Sequence, residues 1–218
     1  MVCDATFFRK RKDKDGLLIF YDSISDKVIW HKFIQSETKA EYQEGLDYLL
    51  KLGFEIQSVT IDGRRGIANV FKDYPVQICQ FHVQTSILKR TTQNPQTKAG
   101  KILKRIANLF IRNRWNQKYF ENCFYGLVIK YRDFFIERNE NGQFIHRRLR
   151  SALFGIKSVL PYLFTYQDYP NLNIPNITNN IDGGINTKLK DLNRRHRGMN
   201  IERRNKLLIN LLYNLKGK

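Results

Sequence analysis

At 218 residues, 42% hydrophobic and 13% aromatic, the chain can hold one large domain or two small ones and is too rich in core-forming side chains to be a disordered tail. The 38 basic and 20 acidic residues leave a formal charge of +18, which suits a polyanion, most simply nucleic acid, as partner. No apolar run approaches the roughly 20 residues of a bilayer span, no signal peptide is expected at the charged opening, and the scattered Cys3, Cys79 and Cys123 form no disulfide framework and suit a reducing compartment.

Val2 to Phe8 is short and β-prone, with Asp4 inside it. A polar stretch ending in Asp15-Gly16 is a hairpin signal. Leu17 to Tyr21 and Lys27 to Ile34 are two further strands, joined by the polar Asp22 to Asp26 turn, which makes a three-strand meander. Thr38 and Glu41 form a capping box. The helix after it places Tyr42, Leu46, Leu49 and Leu50 on one face and ends at Leu52-Gly53. Phe54 to Ile61 is the fourth strand. It runs into Asp62-Gly63, where glycine allows a sharp turn, then a short helix (Arg64 to Phe71), a break at Pro75 and a fifth strand (Val76 to Cys79).

Tyr74 to Phe120 then contains no acidic residue and nine basic ones. Ile102, Leu103, Ile106, Leu109 and Phe110 recur at helical spacing. So do Tyr119, Phe120, Cys123, Phe124, Leu127, Val128 and Tyr131, and later Leu149, Leu153, Ile156, Leu160 and Leu163. These stripes read as the core of a helical insertion rather than a base-stacking surface. The expected division is 1–96 (first part of an α/β core), 97–168 (helical insertion) and 169–218 (second part of the core). Tyr169 to Pro175 is a Pro/Asn-rich linker. Asn176 to Asn180 suits a helix start. An amphipathic helix carrying Ile185, Leu189 and Leu192 follows, closed by Arg194 to Gly198, and Leu207 to Leu215 forms a final helix. Residues 183–218 carry ten basic and two acidic residues.

Three carboxylates stand at structural transitions: Asp4 on the first strand, Asp62 ending the fourth and Asp182 opening a late helix. Strand C-termini are where chemistry gathers in open α/β sheets. Each aspartate alone is equally a turn former or a solvated charge. If the first and fourth strands are adjacent, Asp4 and Asp62 become neighbours. Crowded carboxylates raise one another's pKa, and a hard cation such as Mg²⁺ or Mn²⁺ relieves that repulsion. Two such ions can activate water and stabilise the leaving oxygen of a phosphodiester. Cys79-x-x-His82 could contribute to a zinc site, but structural zinc takes four ligands and no second Cys/His pair lies nearby.

The segments VCDATFF, VTIDGRRGIANVF, CQFH and TNNIDGGINTKLKDLNRRHRGM, in that order around a helical insertion, resemble the catalytic core of bacterial insertion-sequence transposases of the Mutator-like superfamily. The resemblance covers nearly the whole chain. It implies an RNase H-like fold with a mixed five-stranded sheet. It implies a DDE-type triad, here Asp4, Asp62 and Asp182, holding Mg²⁺ or Mn²⁺, and a signature pair, Cys79 and His82, outside the catalytic metal site. The third position departs from the family's usual glutamate, and aspartate is one methylene shorter. Asp4 also lies only three residues from the start, whereas the family carries an N-terminal DNA-binding region ahead of this strand, so the resemblance implies an N-terminally truncated transposase.

The expected function is a DNA transposase catalytic domain, with metal-dependent phosphodiester hydrolysis and strand transfer. Lys101, Lys104, Arg105 and Arg112 of the insertion and Arg194, Arg195 and Arg197 near the end would contact phosphates of transposon-end and target DNA. A homo-oligomer when full length, a cytoplasmic, nucleoid-associated location and no membrane partner go with it. The alternatives are an inactive DNA-binding remnant and a structure-selective nuclease on the same fold.

Overall fold

Alternate side chains of a strand point to opposite faces, and Leu17, Leu18, Ile19, Phe20 and Tyr21 are all fully buried. A strand apolar on both sides must be covered on both. The computed structural model, which describes residues 1–8, 15–64, 66–109, 116–178 and 180–214, places this run at the centre of a meander. Strands β1 (Val2–Phe7), β2 (Gly16–Asp22) and β3 (Lys27–Ile34) pair antiparallel. Strands β4 (Val59–Ile61) and β5 (Val76–Ile78) extend the sheet in parallel, in the order β3-β2-β1-β4-β5. The protein is therefore α/β, a mixed five-stranded sheet flanked by helices.

Leu18 and Phe20 join one hydrophobic cluster, on the side of α1 (Lys39–Lys51) and α2 (Gln80–Thr91). Helix α1 begins at the expected cap, where Thr38 Oγ1 accepts the Glu41 N–H at 3.4 Å. It buries Tyr42, Leu46 and Leu49, while Leu50, expected on the same face, is exposed because it falls past the edge of the stripe. The same cluster continues through α3 (Lys98–Leu109), α4 (Gln117–Lys130), α5 (Arg132–Ile136) and α6 (Arg147–Val159). The predicted insertion thus shares its core with the sheet. Of the residues in its apolar stripes, Leu103, Ile106, Phe120, Phe124, Leu127, Leu153, Ile156, Leu160 and Leu163 are buried, and Phe110 lies outside the described residues. The chain returns through α7 (Thr165–Asp168) and a short 3₁₀ turn, Pro170–Leu172.

Leu17, Ile19 and Tyr21 face the second cluster, completed by Ile181, Ile185 and Leu189 and by Leu208 and Leu212. These come from a π-helical segment, Asn180–Asn186, which continues into α8 (Thr187–Arg195), and from α9 (Ile201–Asn214). Among the described residues no helix is long and apolar enough to cross a membrane.

Four expectations change. The fourth strand spans Val59–Ile61 and not Phe54–Ile61. Gly53, at φ 83°, folds the chain back so that the Phe54 N–H reaches Leu49 O, and pairing starts only where Val59 meets Val76 and Thr60 meets Val2. The left-handed residue after Asp62 is Gly66, at φ 85°, not Gly63. The short helix is a 3₁₀ turn, Ile67–Phe71. Helix α2 itself begins at Gln80, immediately after β5, well before the helical region expected from residue 97.

Candidate functional site at the strand ends

Strand β1 lies beside β4 with Val2 opposite Thr60. Two residues further along both chains come Asp4 and Asp62, so both aspartates stand at one level of the sheet, Asp62 one residue past the end of β4. They face different surroundings. Asp4 pairs across β1–β2 with Ile19 and so shares the face covered by the π-helical segment. It is 6% exposed, and its Oδ2 accepts the Asn186 Nδ2–H at 2.6 Å. Asp62 lines a cleft of about 760 Å³ on the α2 and α6 side, with Glu37, Arg64 and His82. The backbone of Asp182 belongs to the π-helical segment, the segment that also supplies Asn186. Its side chain lies outside the described residues. π-helical turns are rare and concentrate at functional sites.

Burial, and then the neighbouring Glu37 carboxylate, hold the Asp62 carboxyl above its ordinary range, although the Arg64 N–H, His82 and the Arg64 guanidinium pull it down. Asp62 Oδ1 accepts the Arg64 N–H at 3.0 Å. Its other oxygen accepts no hydrogen bond among the described residues. Glu37, 8% exposed, has both oxygens engaged: Tyr42 Oη donates to Oε1 at 2.6 Å and Arg64 Nη1 to Oε2 at 2.5 Å. Burial and the adjacent Glu37 push the Tyr42 hydroxyl well above its usual range, so it remains a donor. Glu37 therefore fixes Arg64 at the cleft and places one negative charge beside Asp62. Neither Glu37 nor Arg64 was legible as a site residue, because one precedes a helix cap and the other follows a turn, both ordinary places for solvated charge.

Compared with protein-family models, curated proteins and solved structures, the chain matches none of them. The site therefore has to be read from its own geometry. Cys79 caps α2 and His82 lies one turn along it. The Cys79 sulfur accepts from both the N–H and the hydroxyl of Thr178, each at 3.3 Å. Burial raises the Cys79 thiol pKa, but hydrogen bonds from His82 and Thr178 outweigh it and leave the thiol below its ordinary value. Nearby, Gln80 N–H donates to Asn176 O at 2.9 Å and Thr60 Oγ1 to Pro175 O at 2.7 Å. Cys79, Gln80 and Thr60 thus anchor the returning chain against β4 and β5, directly ahead of the segment that carries Asp182. Among the described residues no group of three or more His, Cys, Asp or Glu side chains is gathered as a metal site.

The basic residues expected to meet DNA are dispersed. Lys101 and Arg105 are exposed on α3, and Lys104 donates to Gln93 O. Arg194 is exposed and pairs with Asp191 at 2.8 Å, while Arg195 and Arg197 are exposed at and beyond the end of α8. Arg112 lies outside the described residues.

Proposed function

We propose that the chain is the catalytic domain of a DNA transposase with an RNase H-like core, which hydrolyses phosphodiesters with Mg²⁺ or Mn²⁺ held by Asp4, Asp62 and Asp182. The observation that carries this reading is the parallel pairing of β1 with β4, which aligns Asp4 and Asp62 on adjacent strands. A three-strand meander followed by two parallel strands, with helices on both faces, supports the RNase H-like assignment. The raised Asp62 carboxyl supports it further, since burial first and the Glu37 charge second disfavour its ionised form, and a bound cation would offset both.

The donor chemistry fits such a cation: hard divalent ions take carboxylate oxygens, and one Asp62 oxygen is uncommitted among the described residues. Bound there, the ion would activate water and stabilise the leaving oxygen. The chain's own groups orient the ligands. The Arg64 N–H holds Asp62 and the Asn186 amide holds Asp4. In the reaction, water adds across the P–O3′ bond and releases a 3′-hydroxyl and a 5′-phosphate. The hydroxyl then attacks a phosphorus of target DNA, displacing that strand's own 3′-oxygen, which takes up the proton.

The test is nicking of supercoiled plasmid DNA in MgCl₂ or MnCl₂ by wild type and by Asp62→Asn, with DNA binding measured alongside. Nicking by the wild type that falls to background in the variant, while binding persists, supports the triad. Equal nicking by both proteins refutes it. One observation favours a second reading, a DNA-binding remnant without catalysis: Asp4 is almost fully buried and already bonded to Asn186. That reading requires DNA binding with no nicking in any divalent ion.

A further inference from the structure

Two clefts lie end to end along the seam between α2 and α6. The first, of about 760 Å³, is the Asp62 cleft, lined by His82 to Arg90 on one helix and Ala152 to Val159 on the other. The second, of about 800 Å³, continues past it between Arg90 to Thr92 and Arg147 to Ser151. Arg90 lines both. The charge along this path is asymmetric. Glu37 and Asp62 stand at one end, and the remaining ionised groups are cations, namely Arg64, Lys89, Arg90, Arg147 and Arg148.

Two of the cations, Arg90 and Arg148, are held in place. Arg90 Nη1 donates to Ser86 O at 3.0 Å and Nε to Ser151 Oγ at 3.1 Å. Arg148 Nη2 donates to Lys89 O at 2.7 Å, so each arginine ties the two helices together. A guanidinium has five N–H donors, and both arginines retain donors beyond these contacts. From Arg148 to Val159 is eleven helical steps, about 16 Å at 1.5 Å each, enough for several consecutive phosphates. Gly155 lines the first cleft, and a Cβ built there would meet nothing within 4 Å.

We infer that this seam, and not the exposed faces of α3 and α8, carries the phosphate backbone of one nucleic-acid strand towards Asp62. The inference rests on the reading that the chain acts on nucleic acid, and it names the path the strand takes. Fixed guanidiniums suit phosphates because their planar donor pairs match two oxygens at once. Glu37, paired with Arg64, and Asp62 mark the far end of the path, where the backbone would meet the carboxylate that holds the cation.

The test is fluorescence anisotropy of a labelled single-stranded oligodeoxynucleotide with the whole chain across a salt series. Arg147→Ala with Arg148→Ala should weaken binding at least about tenfold and flatten the log–log salt slope by about 1.4, two lost phosphate contacts at about 0.7 each. Lys101→Ala with Arg105→Ala should stay within about twofold of wild type. Gly155→Glu provides a control against misfolding. It replaces a helix-interior glycine with a better helix former, so thermal stability should hold or rise while the added carboxylate weakens binding. The reverse ranking of the two double variants, or unchanged binding by Gly155→Glu, overturns the path. Neither result touches the nicking assay, which judges the catalytic reading separately, whereas a wild type that binds no nucleic acid overturns both.

Discussion

The two faces of the sheet are built differently. On the α1 and α2 side, one continuous cluster runs from β1 through the helical insertion to Phe164. Many segments contribute, and the cleft at Asp62 is cut between them. On the other side the cover comes from a single stretch of chain, Ile181 to Leu212, secured by Arg204, which is 3% exposed and grips Asp15 with two nitrogens. The first face has redundancy and can carry a cleft. The second depends on one late segment, and that segment also presents Asn186 to Asp4 and contains Asp182. Catalytic geometry would then depend on the less redundant face.

The comparison can be broken by making the same truncation on each side. Leu103→Ala and Leu208→Ala remove side chains that are both fully buried, and each should destabilise by about 3 kcal/mol in denaturant unfolding. Hydrogen exchange should separate them: Leu208→Ala deprotects residues 180–214 ahead of the rest, while Leu103→Ala loosens no single face. Uniform deprotection by both would show that the second face is not a separate weak point. A smaller effect is expected at the cleft. The Asp62 carboxyl is raised on folding, so the folded state binds more protons and stability is lost as pH rises from the unfolded-state pKa through the folded one. Asp62→Asn should therefore stabilise by up to about 1 kcal/mol at neutral pH, and the gain should vanish in acid below the ordinary aspartate range. A Tm difference that persists there would assign the effect to something other than ionisation. Smallest of all, Gly126→Ala inside α4, where a Cβ meets nothing within 4 Å, should add roughly 0.5–1 kcal/mol without altering nicking or binding.

Local pattern was enough for the meander, the N-cap at Thr38, the apolar stripes of α1, α3, α4 and α6, and the placing of Asp4 on one strand and Asp62 at the end of another, strands that turn out to be neighbours. Each follows from periodicity, turn chemistry or capping, which act within a few residues. Helix α2 escaped because Cys79, Phe81 and Val83 alternate with the polar Gln80 and His82, which continues the two-residue period of a strand past β5.

The chain's own order of residues determined that it would make a doubly covered sheet with a strong positive charge, one carboxylate within its first strand and another at the end of its fourth. Only the folded molecule decided that Asp4 turns toward Asn186 while Asp62 opens onto a cleft with Glu37 and Arg64, and that α2 and α6 meet in a basic seam. The physical reason is distance along the chain. Asn186 lies 182 residues from Asp4 and Ser151 lies 61 from Arg90, and pairings of that span are set by how whole faces pack, not by any local preference.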